Sequence, residues 1–192
     1  DTEIVGKSTC VSGATGNFGG SAVAVALAMG AACVVAPGRN QRTLEELSRR
    51  FGPRVRPVVL TGDHEADTAA MMRAAPGRID CVLEILPPEA GIEPVRAAAL
   101  TAGPYGRVVL MGGVGDVDLP LPHRWLMRNH ISVIGAWMYD RDASARMAAM
   151  IHAGLIDLSG IDVAEFGLEQ ANEAVAHAAE QDGAFRLTVL RP

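Results

Sequence analysis

The chain has 192 residues, of which 49% are hydrophobic, and its formal net charge is −5. That length supports one sizeable domain with a good core, and the negative charge argues against a nucleic-acid partner. No apolar run is long enough to cross a bilayer and no secretory leader is present, so we predict no membrane partner.

The three cysteines, Cys10, Cys33 and Cys81, each lie in a short apolar run typical of a strand. Buried reduced thiols are a better interpretation than a disulfide or a metal site, because an apolar strand is normally buried. We therefore predict a cytoplasmic protein.

The chain begins with a strand, a glycine-rich turn and a helix. The apolar run 9–12 predicts the strand, Gly13, Gly16 and Gly19 form the turn, and the alanine-rich run 21–29 predicts the helix. Such a turn directs backbone N–H groups at a helix start toward an anion, and pyrophosphate is its usual ligand. The spacing G-x-x-G-x-x-G is less specific than G-x-G-x-x-G, so a tight turn without a ligand is the alternative.

Further strands and helices alternate along the chain. Predicted strands cover 31–36, 55–60, 80–85, 107–111 and 131–137, and predicted helices follow Asn40, then cover 63–75, 92–101, a short segment near Trp125, and 143–153. Six apolar strands alternating with helices predict an α/β fold with a doubly wound parallel sheet of about six strands. The glycine turn follows the first strand, where such a sheet opens its ligand crevice.

The rhythm changes after residue 160. A C-terminal strand-helix-strand tail is predicted, with strands at 163–166 and 185–190 and a helix at 168–181. These elements either extend the sheet or belong to a neighbouring domain.

The residues after the second strand bear on which nucleotide is bound. No Asp or Glu occurs between Gly13 and Glu45, although an acidic residue about 20 positions after the glycines is typical of NAD sites. The second strand is followed instead by Gly38 and Arg39, where a small residue leaves room for a 2′-phosphate and a guanidinium can bind it. The pattern favours NADP over NAD. The alternative is that Arg39 and Arg42 are only the solvated start of a helix.

Asp63, at the end of the third strand, has two interpretations. It is placed to approach the adenine of a bound nucleotide, and it is equally suited to cap its own helix.

Together these segments resemble the cofactor-binding Rossmann domain of the medium-chain dehydrogenase/reductase family, which includes zinc alcohol dehydrogenases and quinone oxidoreductases. The resemblance covers nearly the whole chain, and its most specific part is the tail. It is carried by residues 11–20 (VSGATGNFGG), 108–113 (VVLMGG), 134–137 (IGAW), 166–174 (FGLEQANEA) and 183–190 (GAFRLTVL).

The resemblance implies a set of cofactor contacts along the chain. Diphosphate contacts are implied at Thr15, Gly16, Asn17 and Phe18, and adenosine phosphate contacts at Arg39 and Asn40. Nicotinamide-side contacts are implied at Ile85, Leu86 and Pro87 and at Gly112, Gly113 and Val114. The resemblance also implies a homodimer in which strands at residues 131–137 of two subunits pair edge to edge.

The chain departs from the family pattern in one large respect. Family members carry an N-terminal domain of similar size with the substrate pocket and, in zinc members, the metal ligands. We expect residues 1–160 to be the NADP-binding domain and 161–192 to be a tail that returns to that absent domain. Since the first residue is not methionine, we expect an excised or incomplete chain. The five histidines are scattered without ligand spacing, which predicts no zinc in this chain.

These observations predict the nucleotide-binding portion of an NADP-dependent oxidoreductase that moves hydride between nicotinamide and a carbonyl or alkene. The substrate, a small molecule, would be bound largely by the missing domain, so catalytic residues are not assigned. A short-chain dehydrogenase mechanism is excluded, because it needs a Tyr followed four residues later by Lys, and the one lysine is Lys7. A non-catalytic NADP sensor and an inactive isolated fragment remain the alternatives.

Overall fold

The computed structural model describes residues 3–180 and 183–192. Six strands form the main sheet: β1 Ser8–Ser12, β2 Cys33–Gly38, β3 Val55–Val59, β4 Ile79–Glu84, β5 Ala102–Leu110 and β6 Ser132–Gly135. All neighbouring pairs are parallel, in the order β3-β2-β1-β4-β5-β6. The chain therefore reverses direction across the sheet at β1, which confirms the predicted doubly wound Rossmann arrangement.

Five helices connect these strands: α1 Asn17–Ala28, α2 Gln41–Phe51, α3 His64–Ala74, α4 Ile92–Ala99 and α5 His123–Asn129; a sixth, α6 Ala143–His152, follows β6. The core lies in two apolar clusters. One cluster includes Val23 of α1 and Leu44 of α2, and the other includes Met71 of α3 and Ala98 of α4. Each face of the sheet thus buries its side chains under helices, as a parallel sheet requires.

The tail forms a second, smaller sheet. Its elements are β7 Asp162–Gly167, α7 Ala171–Glu180 and β8 Arg186–Arg191, and the two strands pair in parallel with each other. Within the described residues β7 and β8 do not join the six-strand sheet. The predicted helix begins as a 3₁₀ turn, Leu168–Gln170, and residue 181 lies outside the described residues.

Several strand boundaries differ from the prediction by one or two residues, as in β6, which covers Ser132–Gly135 and not 131–137, and one differs by five. β2 continues through Pro37 and Gly38, which were expected to end it. Proline is tolerated because β1 pairs only with Cys33–Val35, so at Pro37 the strand has one neighbour, β3. β5 begins at Ala102, five residues before the predicted start, because the residues from Gly103 to Gly106 continue the strand irregularly, with a positive φ of 62° at Tyr105.

The three cysteines are free and buried. Burial raises the pKa of the Cys10 thiol to about 12, so this side chain is a small core hydrophobe and not a nucleophile. Among the described helices, none is both long enough and apolar enough to span a membrane.

Candidate functional site

The glycine turn lies directly after β1, and its geometry requires glycine. Gly13 has φ +99°, and a Cβ there would lie 2.9 Å from the carbonyl oxygen of Ile85. A Cβ at Gly19 would collide with the backbone carbonyl of Gly13. The start of α1 therefore packs against the turn without an intervening side chain.

The first turn of α1 presents backbone N–H groups that lack a protein acceptor. Gly16 is the N-cap and offers no capping side chain, and the first turn holds no acidic residue. In the part of the chain that the structure describes, the N–H groups of Asn17, Phe18 and Gly19 donate to no protein atom. Phe18 is 80% exposed, so this helix start is open to a ligand. Free N–H groups and the positive end of the helix dipole make an anion site there.

The end of β2 lies against the same turn. A Cβ at Gly38 would lie 2.7 Å from Cγ2 of Thr15, so only glycine permits this approach. Arg39 follows Gly38, is exposed, and has no hydrogen-bond or ion-pair partner among residues 3–180 and 183–192. A cation is thus available beside the anion site.

The neighbouring polar residues are already engaged within α2. The side chain of Asn40 caps the helix by accepting a hydrogen bond from the N–H of Thr43 at 3.3 Å. Arg42 forms an exposed ion pair with Glu46 at 3.3 Å. Of the two arginines considered for a 2′-phosphate, Arg39 is the one whose guanidinium has no partner in the part of the chain that the structure describes.

The end of β3 is shaped by two carboxylates, Asp63 and Asp67. Asp63 caps α3 by accepting hydrogen bonds from the N–H groups of Glu65 and Ala66, both at 3.1 Å. This is the capping role, the second of its two interpretations; the contact with adenine stays a prediction.

Asp67 was not identified from the sequence. It is 3% exposed and accepts hydrogen bonds from the N–H and hydroxyl of Thr61, both at 2.8 Å, and from the N–H of Gly62 at 3.1 Å. Burial acts to raise the pKa of Asp67, but these hydrogen bonds together outweigh it and hold that pKa below its usual range. Asp67 could have been found from the sequence as a charged residue at a helix position that faces the core, because it lies four residues before the buried Met71 on the same helix.

The ends of β4 and β5 are joined by Glu84, which sequence reasoning also missed. Glu84 is 3% exposed, and its carboxylate accepts hydrogen bonds from the N–H of Leu86 at 2.8 Å and of Gly112 at 3.1 Å. The N–H of Gly113 in turn donates to the carbonyl of Leu86 at 2.9 Å. The residue could have been found as the one carboxylate at the apolar end of the fourth strand.

These bonds bring the predicted nicotinamide-side segments together. Residues 85–87 follow β4, and residues 112–114 follow β5. The first segment is also bonded to β1, because the N–H of Ile85 donates to the carbonyl of Ser12 at 3.0 Å. A cavity of about 140 Å³ lies beside them, and Glu84 and Val114 are among its lining residues. Pro87 ends the first segment and precedes a short 3₁₀ turn.

All the predicted site residues therefore lie at one edge of the sheet. The turn after β1 and the ends of β2, β3, β4 and β5 meet there because parallel strands share a carboxyl edge. Among the described residues, the edge has N–H groups without acceptors at its centre and a guanidinium without a partner on the β2 side. On the β4–β5 side it has two turns that Glu84 joins by hydrogen bonds. A dinucleotide fits this donor set, and the diphosphate contacts at the start of α1 stay a prediction.

A metal ion does not fit the described residues. A zinc site needs three or four His, Cys or carboxylate ligands in one place. In residues 3–180 and 183–192 no group of three such side chains could hold a metal ion.

Comparison with known families and structures agrees with this geometry. The family model described as "Zinc-binding dehydrogenase" matches residues 18–154. Among solved structures, L-idonate 5-dehydrogenase from Escherichia coli is 22% identical with a TM-score of 0.73, over 97% of this chain and 51% of that one. An alcohol dehydrogenase from Pyrobaculum aerophilum, bound to cobalt and zinc, is 23% identical with a TM-score of 0.71, over 98% and 51%.

A third similar structure is the crotonyl-CoA carboxylase/reductase AntE in complex with NADP. It is 18% identical with a TM-score of 0.77, over 97% of this chain and 50% of that one. The chain thus spans about half the length of the solved structures that it matches. No curated protein matches the chain significantly.

Proposed function

Because the chain belongs to the zinc-binding dehydrogenase family, we propose that it is the nucleotide-binding portion of an NADP-dependent oxidoreductase. The observation that carries this proposal is the open start of α1, where three N–H groups have no acceptor among the described residues and the first turn holds no acidic side chain. NADP, when bound, supplies the hydride chemistry. The chain's own residues bind the diphosphate and orient the rest of the molecule along the carboxyl edge.

The preference for NADP over NAD rests on Arg39. Its guanidinium is exposed and unpartnered in the described residues, and it follows Gly38, which leaves space beside the turn. A 2′-phosphate would receive charge-assisted hydrogen bonds there, and a 2′-hydroxyl would not. The NADP complex of AntE, a structure of the same fold, is consistent with this assignment.

Calorimetric titration of the chain with NADPH and NADH tests the assignment. We expect NADPH to bind more tightly, and Arg39→Ala to weaken NADPH by about 10- to 100-fold while changing NADH by less than about twofold. Arg49→Ala is the matched control, because Arg49 is an exposed arginine in the last turn of α2, at the end far from Arg39. Tighter binding of NADH, or equal losses for both nucleotides in Arg39→Ala, would contradict the 2′-phosphate site.

We further propose that the substrate site is completed by a domain outside this chain and that residues 161–192 return to it. The matched structures are about twice as long as this chain. The two-stranded sheet of β7 and β8 leaves Val163 and Leu187 exposed, whereas parallel strands are normally covered on both faces. Hydride transfer to a carbonyl or alkene would then occur between the two domains.

The remaining proposals concern the state of the protein. The family and the matched dehydrogenases favour an oxidoreductase over a nucleotide sensor. Buried free cysteines support a reducing compartment, and hence the cytoplasm. The described residues do not fit a zinc site, so any zinc would belong to the other domain. A homodimer through β6 is supported by the exposure of that edge strand.

A further inference from the structure

We propose that Glu84 is a positioning residue that sets the affinity for the nicotinamide half of the dinucleotide without affecting the adenosine half. This inference rests on the proposed function. Because Arg39 places the adenosine phosphate on the β2 side of the crevice, the nicotinamide half extends over the ends of β4 and β5. The residues that face it there are the two turns bound by Glu84.

The geometry around Glu84 forms a closed set of bonds between two strands. One carboxylate oxygen, Oε1, accepts from Leu86 in its own turn, and the other, Oε2, accepts from Gly112 in the turn after β5. The backbone completes the connection, because Met111 donates to the carbonyl of Glu84 at 3.0 Å and Gly113 donates to Leu86. The two turns therefore hold a fixed relation to each other.

Both the carboxylate and the glycine beside it are required by this arrangement. A carboxylate accepts at both oxygens, whereas a Gln amide has one acceptor oxygen and would turn its NH₂ group toward one of the two N–H donors. At Gly112, an added Cβ would collide with the carboxylate of Glu84. Replacing either residue weakens the link between the turns, because the backbone bonds then remain without both carboxylate bonds, and it leaves the sequence of the helix that binds the diphosphate unchanged.

Asp67 supplies the natural contrast. Asp67 is also a buried carboxylate that accepts hydrogen bonds from backbone N–H groups. Its donors, however, are Thr61 and Gly62 in the loop after β3, on the adenosine side. Loss of the Asp67 carboxylate should therefore weaken the binding of every ligand that contains the adenosine. Loss of the Glu84 carboxylate should weaken the binding only of ligands that contain the nicotinamide.

The experiment measures the dissociation constants of NADPH and of adenosine 2′,5′-bisphosphate, which lacks the nicotinamide half. For Glu84→Gln we expect NADPH binding to weaken about tenfold and bisphosphate binding to change by less than about twofold. For Asp67→Asn both ligands should weaken by a similar factor. At saturating protein, the fluorescence anisotropy of bound NADPH should be lower in Glu84→Gln, because the reduced ring is held less firmly.

Unchanged bisphosphate binding also shows that the variant is folded. If Glu84→Gln does not fold, Gly112→Ala carries the test, since it should produce the same selective loss of NADPH. Equal loss of both ligands in these variants, or no loss of NADPH, overturns the role of Glu84 and leaves the proposed function standing. Failure of the unsubstituted chain to bind either ligand overturns the proposed function and this inference with it.

Discussion

At the scale of single residues, the carboxyl edge of the sheet is held by side chains that bind the backbone. Asp67 and Glu84 are each 3% exposed, and each accepts hydrogen bonds from the N–H groups of a loop at that edge. A buried carboxylate without such partners would be strongly destabilising. Their burial therefore indicates that the loops must keep one conformation, which is what a preorganised ligand site needs.

Asp67→Asn should lower the free energy of unfolding at pH 7 by about 1–3 kcal/mol, because an amide cannot replace all the hydrogen bonds of the carboxylate. The folded-state pKa of Asp67 is lowered, so its stabilisation is present above the unfolded pKa of about 3.9 and is lost as pH falls through the folded value. The difference between the variant and the unsubstituted chain should therefore shrink at low pH. Urea unfolding at pH 7 and at about pH 2.5 measures it.

Asp63→Asn is the matched control for that experiment. Asp63 is an exposed cap of the same helix, and asparagine caps helices about as well as aspartate. Its effect should stay within about 0.5 kcal/mol at neutral pH. A difference for Asp67→Asn that is equally large at both pH values would show that the stabilisation does not depend on the charge of the carboxylate.

At the scale of elements, the sequence predicts what is decided locally. The helices and most strands were placed within a few residues, because apolar periodicity, Gly and Pro mark them along the chain. The contact of Glu84 with Gly112 joins residues 28 positions apart, so no local pattern contains it. The early start of β5 was missed for the opposite reason. Gly103 and Pro104 have the local pattern of a turn, but β4 pairs with Ala102 before them and with Arg107 after them, so they form an irregularity within the strand.

The tail shows another contact that only the folded chain reveals. Phe185 packs edge-on against Phe51 at the end of α2, with ring centroids 5.5 Å apart. The guanidinium of Arg50 lies 4.1 Å from the Phe185 ring centroid and also donates to the carbonyl of Gly160 at 2.7 Å. The end of α2 thus contacts the tail at Phe185 and also contacts Gly160, the residue just before the tail begins.

Phe185→Ala should release this contact and destabilise the tail by about 1–3 kcal/mol through lost ring packing and lost cation–π attraction. Hydrogen exchange measures the effect locally: amides of β7 and β8 should exchange faster, whereas those of β1 should be unchanged. Val175→Ala, at a position 69% exposed on α7, serves as the control and should alter neither set. Equal acceleration in β1 would mean that the tail and the main sheet open as one unit.

At the scale of the whole molecule, the two edges of the main sheet differ. β3 forms one edge and carries the exposed Arg56 and Pro57, which are residues that prevent another strand from pairing. β6 forms the other edge, and its four residues, SVIG, are exposed and include no charge or proline. The edge formed by β6 is therefore suited to pairing with a second copy of the chain, whereas the edge formed by β3, with its charge and its proline, is not.

Ile134→Lys should therefore convert a dimer into a monomer, because paired β6 strands would bring like charges together across the interface. Ile134 is 42% exposed, so the lysine can reach solvent in the monomer and the fold should be retained. Sedimentation equilibrium should give twice 20.1 kDa for the unsubstituted chain and 20.1 kDa for the variant. Val59→Lys is the control. It places the same charge on the other edge strand, β3, at a position 47% exposed, and it should leave the mass at the dimer value. A monomeric unsubstituted chain, or dissociation by Val59→Lys alone, would refute pairing through β6.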